Sequence, residues 1–138
     1  MKKKLGIAGI TLFIIIVSIL YFSTTAPIAK DMAEVQIQRV SVLNSKYEDQ
    51  DFTDHIDCEI LAQILSNYKR SRLPYDFAPY QAAVGDIDIG YFDHGDLKHI
   101  SLGSVNVVYD SADRGGYKIH NSSELVSQIQ EMIKKRRA

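Results

Sequence analysis

Lys and Arg number 16 in this 138-residue chain against 17 Asp and Glu, with one Cys, three Pro and no Trp. Lys2, Lys3, Lys4 and Lys30 are the only charges before Asp31, so the segment from Asp31 onward keeps 12 basic residues against all 17 acidic ones. A near-neutral total conceals a basic leader and an acidic remainder of roughly 108 residues, room for one small domain. A solenoid and a disulfide scaffold are excluded by length and by the single Cys.

The leader comes first. An apolar run begins at Leu5 and ends at Phe22, interrupted in polarity only by Thr11 and Ser18. As a helix its 18 residues reach ~27 Å, close to the ~30 Å hydrocarbon core of a bilayer, and residues 23–25 can supply a last turn. The run exceeds the ~7–15 residues usual for a secretory signal. Its best small-x-small cleavage site, Thr24 and Ala26, would leave Pro27 just after the cut. These features predict an uncleaved signal-anchor: a cytoplasmic basic stub at 1–4, a transmembrane helix at 5–26, a linker at 27–34 and an extracytoplasmic domain at 35–138. Lys2, Lys3 and Lys4 place the N-terminus inside by the positive-inside rule.

The domain opens with a strand over 35–43, where the apolar phase shifts from Val35 and Ile37 to Val40 and Val42, which implies a bulge or burial on both faces. Residues 44–52 read as a polar loop. Asp54 is placed to cap a helix whose apolar set is Ile56, Ile60, Leu61, Ile64, Leu65 and Tyr68. Pro74 and Pro79 mark residues 73–80 as an extended connection. A strand over 86–92 alternates Ile87, Ile89 and Tyr91 with Asp86 and Asp88, and Asp93-His94-Gly95-Asp96 reads as a hairpin turn. Strands at 97–102, 104–110 and 117–120 follow. Asn121 and Glu124 then form the pattern of a capping box before a helix that buries Leu125, Ile129, Met132 and Ile133. The order β-α-β-β-β-β-α implies an α+β domain, an antiparallel sheet with both helices on one face.

Residues able to carry chemistry are few. His55, Cys58 and Glu59 fall three and four apart on the expected helix, but no second ligand pair accompanies them, so no metal centre is expected. Between Glu48 and Asp96 stand 11 acidic residues against Lys69, Arg70 and Arg72. Asp86, Asp88, Asp93 and Asp96 are the nearest to a shared acidic face, the chemistry of a surface that pairs with a basic partner. His94 and His99, with Asp96 beside them, offer an alternative metal or acid–base site. The Asp86-x-Asp88-x-Gly90 run lacks the later Glu of a calcium loop, and neither a serine elbow nor a phosphate-binding glycine loop occurs.

The sequence therefore predicts a single-pass membrane protein with the layout of a bacterial cell-envelope component. Its outer domain binds another protein, as an immunity-type or accessory subunit would, without catalysis and without a cofactor. The alternative is a small envelope enzyme or metal- or ligand-binding domain using His94, Asp96 and His99. The acidic domain argues against nucleic acid, and the bilayer is met through residues 5–22.

Overall fold

The computed structural model describes residues 2–29, 32–45, 48–75, 82–111 and 115–135. Helix α1 (Lys2–Ser23) is followed by β1 (Thr25–Pro27), β2 (Gln36–Ser45), β3 (Glu48–Asp51), α2 (Cys58–Ser66), β4 (Lys69–Ser71), β5 (Ile87–Asp93), β6 (Asp96–Leu102), β7 (Asn106–Asp110), β8 (Gly115–Lys118) and α3 (Ser122–Lys135). Single 3-10 turns lie at Met32–Glu34 and Thr53–His55. The expected α+β class holds, with three helices and antiparallel pairing throughout.

Six strands form one sheet in the order β3-β2-β5-β6-β7-β8, while β1 and β4 pair separately. The Arg70↔Ile119 bridge and the bond from Tyr75 N–H to the Gly116 carbonyl (2.7 Å) lay the β4 segment along the open edge of β8. That edge is thereby covered rather than left to pair with another chain.

Cross-strand register puts Val40, Ile89, Ile100 and Val108 in one row and Val42, Ile87 and Leu102 in the next. Helices α2 and α3 lay Leu61, Leu65, Leu125, Ile129 and Ile133 on this face, forming the single core. Each such side chain, fully buried, contributes about 1.5–3 kcal/mol relative to exposure. The phase shift read in β2 is a bulge between Ile37 and Arg39, which keeps Ile37 and Val40 on the same side. In α2, Ile60 stands out of the core and is exposed.

Several boundaries differ from expectation. Asp57, not Asp54, caps α2: its carboxylate accepts from the N–H groups of Glu59 and Ile60 at 3.1 Å each. Asp54 lies in the preceding 3-10 turn, as does His55, so His55 and Cys58 do not share a helical face. Residues 48–51, expected as loop, form the edge strand β3. The carboxylate of Asp51 accepts from the Thr53 hydroxyl (2.6 Å) and N–H (2.8 Å), which hold it below the usual carboxylate range. The Thr53 hydroxyl in turn accepts from Val40 N–H, tying the end of β3 into β2.

The expected linker is not free chain. β1 pairs with β4, Ile28 and Ala29 enter the core, and the Tyr91 phenol donates to the Ile28 carbonyl at 3.0 Å. Part of the proline-bearing connection, 76–81, lies outside the described residues.

Helix α1 has 22 residues. Its large apolar side chains at Ile7, Ile10, Leu12–17, Ile19, Leu20, Tyr21 and Phe22 are exposed, from 44% at Phe22 to 67% at Phe13. Among the described residues no helix is long and apolar enough to cross a membrane, and the helix expected to run through residue 26 ends at Ser23, with Thr25 and Ala26 in β1.

Candidate functional site

The four acidic candidates separate into different environments. Asp86 is buried, and its carboxylate accepts from Ala83 N–H (2.8 Å), Ser104 N–H (2.8 Å) and the Ser104 hydroxyl (2.7 Å). It staples the loop before β5 to the β6–β7 turn. Asp93 is 0% exposed and Lys98 3%, with Nζ 2.7 Å from Asp93 Oδ2 and 3.7 Å from Asp110 Oδ2. Neither Asp86 nor Asp93 belongs to a solvent-facing acidic surface. Asp96 is exposed at the start of β6. Of the four, only Asp88 faces a concavity with its carboxylate partly open.

His94 and Gly95 form a two-residue hairpin loop between the paired Asp93 and Asp96. Both have positive φ, 56° and 83°, as the type I′ turn demands. The turn reading is correct, and the structure gives the histidine a tethering role. Its ring nitrogens lie 3.0 Å from Asp93 Oδ1 and 3.2 Å from Glu34 Oε2, joining the hairpin to the turn before β2. His99 projects from the opposite face to Lys98, toward Asp88, and shares no contact with His94. The expected His94/Asp96/His99 site is therefore not assembled. Among the described residues no group of three or more His, Cys, Asp or Glu could hold a metal ion.

What the fold does assemble lies on the sheet face turned away from the helices. Ser41, Asp88 and Ser101 are direct cross-strand neighbours on β2, β5 and β6. Gly90, His99 and Tyr109 form the adjacent row. The His99 ring lies over Gly90, where an added Cβ would meet it at an ordinary contact distance of 3.6 Å. Asp88 Oδ1 accepts from the Ser101 hydroxyl at 3.3 Å, and Oδ2 lies 3.7 Å from His99 Nδ1. With Leu43, Asp49, Ala82, Asp86 and Ile87 these residues line a concavity of about 360 Å³.

The chemistry of this concavity is recognition more readily than nucleophilic attack. Ser101 is bonded to the carboxylate and not to the imidazole, so the histidine is not set to take its proton. Asp88 and His99 are 47% and 44% exposed at the side chain and remain open to a ligand. Asp49 adds a second carboxylate at the rim, where Arg39 lies 3.5 Å from it. Ser41, Ser101 and Tyr109 carried no signal in the sequence; only the register of β2, β6 and β7 brings them beside Asp88.

Above the Lys98 cluster, burial first and then the Asp93 and Asp110 carboxylates push the Tyr91 phenol far above its ordinary value, opposed by Arg70. Tyr91, Lys98 and Asp110 are successive cross-strand partners. This network fixes one end of the sheet and is a structural element.

No known protein family matches the chain, and neither a curated protein nor a solved structure matches it.

Proposed function

We propose that this chain is a single-pass, membrane-anchored protein whose folded domain lies outside the cytoplasmic membrane and binds a protein partner through the open sheet face. The observation that carries the reading is α1: large apolar side chains exposed on every side from Ile10 to Phe22. Its apolar run from Leu5 to Phe22 extends ~27 Å as a helix, close to the ~30 Å hydrocarbon core of a bilayer. Lys2–Lys4 at its start favour a cytoplasmic N-terminus. An envelope location in a bacterium fits this layout.

The recognition surface in this reading is the concavity around Asp88, His99, Ser101 and Tyr109, with Asp49 at its rim. Two carboxylates beside a tyrosine suit a basic segment, whose cation meets Asp88 and whose stem packs on Tyr109. Anchoring raises the local concentration of such a surface against other membrane components.

The test is a crosslinked pull-down of the full chain from its membrane, read by mass spectrometry, with Asp88→Asn and His99→Ala alongside. A stoichiometric foreign protein captured by wild type and lost from both variants supports the reading. Capture that ignores both substitutions, or recovery of the chain alone, rejects this face as the recognition surface.

A further inference from the structure

The chain after α1 climbs away from the helix as β1 and returns as β4. Their antiparallel register is Thr25↔Ser71, Ala26↔Arg70 and Pro27↔Lys69, so beyond Ser71 the backbone heads back along α1. Arg72 makes that return explicit. Its Nε donates to Thr24 Oγ1 at 2.8 Å, one terminal nitrogen donates to the Tyr21 hydroxyl at 2.9 Å, and the guanidinium lies 4.4 Å from the Tyr21 ring centre. Arg72 therefore sits beside the last turn of α1, and residues 73–75 continue from it. Two large side chains there, Leu73 at 53% and Tyr75 at 68%, are exposed.

The turn is not a loose loop. The Ser71 hydroxyl donates to the Leu73 carbonyl and accepts from Lys118 N–H, and Tyr75 N–H is held by Gly116. Leu73 and Tyr75 are thus presented by a braced backbone beside the point where the helix enters the domain. Leucine and tyrosine with an arginine that shares its donors between protein and surroundings are the residues of a membrane–water boundary, where rings and long stems bury and polar tips stay wet.

We propose that residues 72–75 are a second membrane contact, in which Leu73 and Tyr75 enter the headgroup layer of the bilayer that holds α1 while Arg72 locks the turn to the helix end. This rests on the membrane reading of α1 and adds to it. With one helix alone the domain could tilt freely about Ser23. With the turn seated as well, the domain stands in one orientation and presents its open face at a fixed height.

The experiment uses the full chain in phosphatidylcholine–phosphatidylglycerol vesicles, in a Cys58→Ser background. A polarity-sensitive fluorophore is attached in turn at Leu73→Cys, Tyr75→Cys, Val84→Cys and Ile14→Cys. Val84 is the control for an apolar residue exposed elsewhere on the domain, and Ile14 reports α1 itself. The expected result is blue-shifted emission at 73 and 75 that is lost to quenchers in the headgroup region, water-like emission at 84, and loss of emission at 14 to acyl-chain quenchers. Deep quenching at 14 with water-like emission at 73 and 75 overturns the proposal and leaves the anchor standing. No quenching at 14 overturns the anchor reading and the proposal with it. A blue shift at 73 and 75 that lipid quenchers do not touch, with crosslinking between copies, assigns the turn to a protein contact and also overturns it.

Discussion

Replacing Lys98 by Met tests whether the charge cluster at the end of the sheet is a desolvated structural unit. Lys98 and Asp93 are 3% and 0% exposed and only 2.7 Å apart, while Asp110 is 3.7 Å away. Taking away the ammonium removes the cation closest to Asp93, whose carboxylate stays sealed in the fold beside His94. Breaking a buried pair from one side costs about 3–5 kcal/mol, because the carboxylate left behind keeps its desolvation penalty and loses its main compensation. At ~4 °C per kcal/mol for a domain of this size, melting falls by roughly 12–20 °C. With no Trp in the chain and seven of its eight Tyr outside α1, near-ultraviolet circular dichroism of the tyrosines in detergent reports mainly on the domain. The double variant Asp93→Asn/Lys98→Met removes both charges and recovers about half of the loss or more. A Lys98→Met protein within about 1 kcal/mol of wild type, more typical of exposed pairs, would refute the reasoning. So would a double variant no better than the single.

Other consequences follow from the same geometry. Asp86→Ala gives up three hydrogen bonds to a carboxylate and costs about 2–3 kcal/mol in denaturant unfolding, against no change in exposed acidic surface. Gly103→Ala destabilises as well, since φ is +135° and an added methyl would run into the Asp86 carboxylate; melting of the two variants and their combination should show that they share one effect. Asp57→Ala removes the cap of α2 and costs about 1 kcal/mol, whereas Asp54→Ala at the originally expected cap changes melting little. Tyr91 has its phenol pKa raised in the folded state, so its contribution is intact below the unfolded value of about 10 and declines as pH climbs from there. Unfolding free energy measured from pH 8 to 11 should fall for wild type and fall less for Tyr91→Phe, which starts about 1–3 kcal/mol lower because the Ile28 carbonyl loses its donor.

The sequence carried the hairpin at Asp93–Asp96 because glycine after a short residue tolerant of positive φ is a local signal. It carried the β2 bulge because a one-residue slip in the apolar phase has no other cheap solution in a sheet. Strands β1, β3 and β4 left no such trace: they are three or four residues long and largely polar, and are held by backbone pairing to chain distant in sequence. The start of α2 was placed three residues early, at Asp54, because the cap at Asp57 is an identical side chain that only cap geometry distinguishes.

Two of the four acidic candidates, Asp86 and Asp93, are buried, and for Asp93 the reason is instructive. Asp93 is in phase with Ile87, Ile89 and Tyr91, and Lys98 with Ile100 and Leu102, so alternation already pointed both toward the core. A charged pair on the apolar phase of both arms of a hairpin signals a buried ion pair, and counting carboxylates along the chain conceals it. Asp88 was correctly on the open face, but its companions Ser41, Ser101 and Tyr109 depend on long-range register that no local pattern encodes.

In the proposed function α1 crosses a bilayer with the domain outside. Its most direct test is labelling of intact cells with a membrane-impermeant maleimide, using full-length Cys58→Ser protein that carries either Val84→Cys or Lys3→Cys. The account predicts a membrane-bound protein labelled at 84 in intact cells and at 3 only after permeabilisation. Labelling at 3 and protection at 84, or a protein released from membranes without detergent, would contradict it.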